Sequence, residues 1–306
     1  MESLHIIWNP VAGGTSAETA FESISEILEQ KGIAFSSAKS EYAGHAVLLA
    51  REAVAAGCRK VIAVGGDGTL GEIASELAGT DTVMGIIPAG TGNDLIRALC
   101  IPKDVSKALE IVLSGECRSM DMLEVNGRKC INVAGFGFDV DVLINMEKYK
   151  SRCKNGSVAY LRGLLDAIHD LKHRQTTIFT PEGTFERNAM VLAAGNGICI
   201  GGGMAVTPQA DLFDGLLDVC VIHDVKKWVL PILLPKFMKG RHLGNKRVDY
   251  LKTTEVEAVC SPASGIQLDG EICETTPFRA KVLPGVLRIM VPGEREERSR
   301  KQHAER

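Results

Sequence analysis

The run Val61-Ile62-Ala63-Val64 leads directly into Gly65-Gly66-Asp67-Gly68-Thr69-Leu70, and no other stretch limits the fold as strongly. Consecutive apolar, mostly β-branched residues read as a strand buried on both faces. Glycine at 65, 66 and 68 permits a tight turn and close approach by another backbone or a ligand. The spacing predicts a helix over 72–78. A helix that starts after such a turn offers unpaired N–H groups and the positive end of its dipole, which together favour phosphate. The pattern is neither GxGxxG nor a Walker A motif, since no Gly-Lys-Ser/Thr follows. A plain tight turn would also suit these glycines. Asp67 argues against it, because a carboxylate repels phosphate unless a cation or a proton-transfer task accompanies it.

Two more turns have the same character. Asn9-Pro10-Val11-Ala12-Gly13-Gly14-Thr15 follows an apolar run at 5–8, and Pro88-Ala89-Gly90-Thr91-Gly92-Asn93-Asp94 follows one at 83–87. Helical spacing over 17–30, 46–56, 93–99 and 105–113, with a further strand at 33–37, completes an alternating rhythm. That rhythm predicts a parallel sheet covered on both faces. All three glycine turns then lie at the carboxyl edge of one sheet, where open α/β folds bind ligands.

From about Asp121 the rhythm changes. Asn126-Gly127 between 122–125 and 130–134 is a strong hairpin signal. Strand-like segments follow at 177–179, 189–194, 217–222, 255–260, 265–268 and 286–291, interrupted by one helical stretch at 158–172. The division expected is an α/β domain over 1–125, a mostly β domain over 126–294, and a charged, frayed tail over 295–306. With 306 residues, two domains fit.

A net charge of -3 and 5% aromatic content give no field or stacking surface for nucleic acid. Nine cysteines, an odd number without CxxC spacing, read as reduced core residues rather than a zinc site or disulfide framework. The first residues lack a signal peptide's basic n-region. The apolar stretch from Trp228 to Met238 is broken by two prolines and a lysine and is too short to span a bilayer. A cytoplasmic protein is expected, with any membrane contact peripheral. Lys226, Lys227, Lys236, Lys239, Arg241, Lys246 and Arg247 interleave with Trp228, Leu230, Ile232, Leu233, Leu234 and Phe237. Such a segment suits an anionic membrane surface and equally a packed helix with a solvated face.

Taken together, the motifs resemble a known family. Gly65-Gly66-Asp67-Gly68-Thr69 is similar to the GGDGT signature of diacylglycerol, sphingosine and ceramide kinases and NAD kinases and, more distantly, of phosphofructokinases. Asn9-Pro10, Gly44-His45-Ala46, Pro88 to Asp94, Asn132 to Asp139, Gly201 to Met204, Asp211 to Asp218 and Asp269-Gly270-Glu271 stand in the order seen in bacterial diacylglycerol kinase-like lipid kinases. The resemblance runs from Asn9 to about Pro292. It implies an NAD kinase-like nucleotide-binding domain, a β-sandwich-like domain with a lipid pocket, and an active site in the cleft between them.

Carried over by position, the resemblance implies nucleotide contact from Asn9, Ser40, Gly65, Gly66, Asp67, Gly68, Thr69, Leu70, Gly71 and Thr91. It makes Glu271 the general base and gathers Asp67, Asp94 and Asp121 near the transferred phosphoryl group through magnesium and water. Asp211, Asp214 and the carbonyl of Leu216 would form a second, structural magnesium site. Ser40 stands where relatives often have Thr, and Thr15 where many have a basic residue. Read locally, Asp269-Gly270-Glu271 is a hairpin turn with two solvated acids, and Asp211 to Asp218 a surface Asx turn. The four glycines from Asn196 to Gly203 fit either a close backbone approach to ligand or a flexible loop.

The activity implied is transfer of the ATP γ-phosphoryl group to a lipid hydroxyl, with diacylglycerol as leading substrate and a place in lipid metabolism and phospholipid biosynthesis. An alcohol is a poor nucleophile at pH 7, and a carboxylate in reach of its proton typically gives ~10²–10⁴ in rate. Phosphoryl transfer otherwise asks for positioning and for cations that offset charge. The alternatives are a soluble-substrate kinase of the NAD kinase type and a nucleotide-binding module without turnover. Assembly as a homodimer stays open.

Overall fold

The computed structural model describes residues 4–14, 16–150 and 156–293. Thr15 and the tail from residue 294 lie outside the described residues. Two compact units make up the chain. One takes in residues up to Met122 and from Pro284 onward, the other Leu123–Leu283.

In the first unit, β1 (Leu4–Trp8), β2 (Phe35–Lys39), β3 (Lys60–Gly65) and β4 (Val83–Pro88) are parallel, in the order β2-β1-β3-β4. Successive residues of β1, β3 and β4 are buried, which is why these strands read as unbroken apolar runs. The helices are α1 (Ser16–Gln30), α2 (His45–Ala55), α3 (Asp67–Leu77), α4 (Asp94–Ala98) and α5 (Val105–Ser114). Helix α3 starts five residues before the expected 72, inside the glycine turn. Gly66 takes an extended N-cap conformation, and the Leu70 amide donates to the Gly66 carbonyl at 3.0 Å. Gly68, Thr69 and Gly71 are poor helix formers, so propensity hides this first turn.

The second unit begins within β5 (Glu116–Val125), which turns through Asn126-Gly127, at φ 47° and 81°, into β6 (Arg128–Cys130). This is the hairpin expected there. Further on come β7 (Val133–Gly137), α6 (Phe138–Lys150), α7 (Gly156–His169), β8 (Arg174–Thr180), β9 (Gly183–Gly195) and β10 (Leu217–His223). A 3₁₀ turn (Lys227–Val229), α8 (Leu230–Met238), β11 (Val248–Thr253), β12 (Glu255–Ser261), β13 (Gly265–Leu268), β14 (Glu271–Thr275) and β15 (Phe278–Val291) complete the chain. The strands run β14-β13-β7-β9-β8-β12-β15 and pair antiparallel, with β10 also on β9 and β11 on β10.

Alternate residues of β7, β9 and β10 serve different cores, as the two-residue period requires. Ala134, Phe136, Leu192, Ala194 and Val219 pack with Val256, Ile266 and Phe278 between strands. Val133, Ala193, Cys220 and Ile222 pack instead with Val142, Ala167, Leu230, Leu233 and Phe237 of α6, α7 and α8. Strand β15 divides its length: Phe278–Lys281 pair with β12, while Ile289 pairs parallel with Met84 of β4. The stretch 284–291, assigned by sequence to the β domain, therefore adds a strand to the first unit. Helix α6 and strands β11 and β14 went unread because none carries a sustained apolar period.

Candidate active site

In the first unit three glycine turns meet through backbone. A Cβ on Gly90 would lie 2.4 Å from the Gly66 Cα, and one on Gly13 2.2 Å from the Ala89 carbonyl oxygen. The turns after β1, β3 and β4 are thus in direct contact, and only glycine allows it. Side chains tie the same turns. Asn9 Nδ2 donates to Thr69 Oγ1 at 3.1 Å, and Asn9 Oδ1 accepts from the Val11 amide at 3.2 Å. Asn93, at φ 53°, donates from Nδ2 to the Gly90 carbonyl at 2.6 Å. Ser40 is buried beside the end of β1, its amide donating to the Trp8 carbonyl at 2.9 Å.

Asp67 stands in the first turn of α3, and no side chain caps that helix. Its Oδ1 accepts from the Asp94 and Leu95 amides at 2.9 and 3.2 Å, holding the start of α4. Asp94 is buried and carries Arg97 at 2.8 Å. Asp121 is buried and accepts from the Gly285 amide at 2.7 Å. Thr91 and Gly68 are exposed at the turns, while the Leu70 side chain is fully buried, which leaves it only backbone for a ligand. Asn9, Gly13, Gly65 to Thr69 and Gly90 to Asp94 are therefore one assembly. Magnesium keeps most of its water and is held chiefly by the phosphates of the nucleotide it accompanies, so a few carboxylates beside a phosphate cradle suffice.

In the second unit, Asp269 and Gly270, at φ 49° and 92°, form the two-residue turn between β13 and β14, and Glu271 opens β14. Glu271 is exposed. Asp269 is not the solvated acid that local reading suggests. Its carboxylate accepts from the amides of Ile131, Asn132 and Val133 at 2.9, 2.9 and 3.1 Å, and from Cys130 Sγ at 3.2 Å. Burial pushes its carboxyl up, and those amides pull it back. The hairpin that presents Glu271 is therefore pinned to the start of β7.

Next to that hairpin is an apolar pocket that includes Val133, Phe138, Leu164, Met204, Leu234 and Phe237, with Gly270 and Asp139 on its wall. Asp139 Oδ1 and Gln267 Nε2 are buried, and neither makes a well-formed hydrogen bond among the described residues. Burial pushes the Asp139 carboxyl up to about 6, opposed by the Val140 and Asp139 amides and, more weakly, by hydrogen bonding from the Gln267 side chain. Sequence reading missed both residues. Asp139 looks like an ordinary acid in the first turn of a helix, and Gln267 like a strand residue.

Among the glycines after β9, Gly197 has a packing cause. A Cβ on Gly197 would lie 1.8 Å from Asn132 Oδ1, and Asn132 Nδ2 donates to the Cys199 carbonyl at 2.5 Å. Asp211 and Asp214 each form an Asx turn, accepting from the Phe213 and Leu216 amides at 3.1 and 3.0 Å. Asp214 Oδ2 also holds Lys252 Nζ at 2.6 Å, and Asp218 Oδ2 lies 3.6 Å from the same ammonium. Burial raises the Asp218 carboxyl, with Tyr250 and Lys252 opposing. Among the described residues no three acidic, imidazole or thiol side chains converge as metal ligands. A cation at Asp211, Asp214 and the Leu216 carbonyl would compete with Lys252 for Asp214.

Comparison with known proteins gives these two sites a family. The diacylglycerol kinase catalytic domain model matches residues 3–125, and that of the YegS C-terminal NAD kinase beta sandwich-like domain matches residues 132–291. A Pseudomonas aeruginosa protein named probable lipid kinase YegS-like is 35% identical over 254 residues, 81% of this chain and 82% of its own. The chain belongs to the diacylglycerol kinase and YegS-like lipid kinase family. A diacylglycerol kinase of Bacillus subtilis is 28% identical over 97% of this chain and 99% of its own. A crystal structure of a putative diacylglycerol kinase from Bacillus anthracis superposes with a TM-score of 0.79 over 95% of both chains at 22% identity, which shows the shared fold. A mixed α/β first domain and a β-sandwich-like second domain are thus the architecture of a kinase family, as the motifs implied.

Proposed function

We propose that this kinase transfers the γ-phosphoryl group of ATP, as its magnesium complex, to a hydroxyl group of a lipid, with diacylglycerol as the leading acceptor. The observation that carries the lipid reading is the apolar pocket with Gly270 on its wall, one residue from Glu271. A wall of leucine, phenylalanine and methionine suits acyl chains better than a dinucleotide, whose phosphates and hydroxyls need polar partners. The relatives' names point the same way.

In this reading the linked glycine turns of the first unit hold the nucleotide. Their backbone N–H groups and the uncapped start of α3 bind phosphate, with Asn9 and Thr69 fixing the turn. Asp67, Asp94 and Asp121 supply negative charge for the hydrated magnesium that ATP brings. In the second unit the acyl chains enter the apolar pocket. Asp139, an acid in an apolar wall, binds the polar part of the acceptor through its Oδ1, which makes no well-formed hydrogen bond in the protein. Glu271 takes the hydroxyl proton as the oxygen attacks the γ-phosphorus and ADP leaves.

The test is transfer from γ-labelled ATP to diacylglycerol, monoacylglycerol, ceramide, sphingosine and a polyprenol in mixed micelles, with NAD as the soluble control. Label in one lipid is the expected result. Label only in NAD replaces this reading with a soluble-substrate kinase, and nucleotide binding without transfer to any acceptor leaves a binding module.

A further inference from the structure

We propose that the outer faces of α7 and α8, with the 3₁₀ turn before α8, are the surface by which this kinase docks on an anionic lipid bilayer. Its purpose rests on the lipid-acceptor reading, but docking itself is measured without turnover.

Both helices are two-sided. In α8, Leu230 and Phe237 are buried and line the pocket with Leu234, while Ile232 on the opposite face is 63% exposed. Trp228, in the turn that leads into α8, is 69% exposed. In α7, Leu164 lines the pocket, whereas Leu161 and Leu165 are 55% and 58% exposed. Lys227 Nζ donates to the His169 carbonyl and so joins the turn before α8 to the end of α7. Single exposed apolar side chains are ordinary. Four large ones on two helices linked at Lys227, a tryptophan among them, ask for an apolar partner.

Charge selects the occupant. The chain as a whole has a net charge of -3, yet the segment between Val225 and Val248 holds seven lysines and arginines and no acid. Lys226, Lys236, Lys239 and Arg241 are exposed around Trp228 and Ile232. Tryptophan and isoleucine bordered by lysine on a helical surface match the boundary between headgroups and acyl chains. Each basic residue adds attraction to an anionic leaflet within about a Debye length. The same helices wall the apolar pocket, so docking sets that wall against the bilayer and spares acyl chains a passage through water.

The test uses the full-length protein without nucleotide, in a Trp8→Phe background that leaves Trp228 as its single tryptophan. Vesicles are phosphatidylcholine alone or phosphatidylcholine with phosphatidylglycerol. Co-sedimentation and a blue shift of Trp228 fluorescence are expected with the anionic vesicles, reversed by high salt. Ile232→Ser with Leu165→Ser, and separately Lys236→Glu with Lys239→Glu, should each weaken partitioning about tenfold or more while thermal unfolding stays unchanged. No binding to anionic vesicles, or binding that neither double variant weakens, overturns the proposal. So does a change of oligomeric state in the variants with vesicle binding intact, which would make this face a contact between copies. Turnover on detergent-dispersed diacylglycerol separates the two readings. Vesicle binding without lipid phosphorylation keeps the docking surface and removes the acceptor reading. Phosphorylation of dispersed lipid without vesicle binding does the reverse.

Discussion

The two units differ in how they hold the acids of their sites. In the first, the turns at Gly13, Gly66 and Gly90 touch through backbone, and Asp67, Asp94 and Asp121 each already have a partner in an amide or an arginine. In the second, Asp139 lies on the wall of an apolar pocket, and its Oδ1 makes no well-formed hydrogen bond there. An unmet buried polar group costs about 1–3 kcal/mol, so a ligand that completes one gains from it. The difference teaches that a site for a constant, charged ligand can be built from rigid backbone, whereas a site for an apolar acceptor keeps its few polar groups in reserve.

The strongest challenge to this contrast is Glu271→Gln. Turnover should fall about 10²–10⁴-fold while nucleotide affinity holds, since the exposed Glu271 makes no part of the glycine assembly. Steady-state kinetics beside nucleotide titration checks it, and near-normal turnover would remove Glu271 as base. Gly90→Ala attacks the rigid side. Its Cβ meets the Gly66 Cα at 2.4 Å, so the turns must part, with a loss of about 1–3 kcal/mol in denaturant unfolding and weaker ATP binding.

Asp139→Asn probes the reserve. With its carboxyl raised from 3.8 to about 6, the folded ligand-free protein binds the proton more tightly than the unfolded chain. Its contribution is therefore most favourable below pH 4 and is lost as pH rises through about 6, on the order of 3 kcal/mol at most. The variant should flatten that part of the pH–stability curve and raise KM for the acceptor while the KM for ATP stays put. A variant with unchanged acceptor KM would leave Asp139 a structural acid only. The smallest effect is expected from Lys252→Ala. It frees Asp214 and leaves Tyr250 as the remaining group opposing burial of the Asp218 charge, for a loss of about 1 kcal/mol, discounted because Lys252 is partly exposed. If magnesium raises the Tm of the variant but not of the parent, the ammonium occupies the place a cation would take.

Much of the first unit was legible in the sequence. Val61–Val64 and Val83–Ile87 are buried on both faces and read as strands without ambiguity, and Gly66 and Gly90 announce close approach by lacking a side chain. Their meeting with each other was not legible. Glycine reports that something comes near, not what, and at Gly197 the near object is Asn132 rather than a ligand. Asp269 was misread as solvated because its three amide partners lie more than 130 residues away in the chain.

By itself the sequence determined the alternation of strand and helix, the position of each glycine turn and the change to antiparallel strands near Asp121. These follow from periodicity and backbone conformation, which act over a few residues. Only the tertiary structure decided that β15 returns to the first unit, that Asp269 pins the hairpin of Glu271, that Lys252 takes Asp214, and that Asp139 faces an apolar pocket. Those outcomes depend on burial and on partners distant in the chain, and desolvation has no signature in the local order of residues.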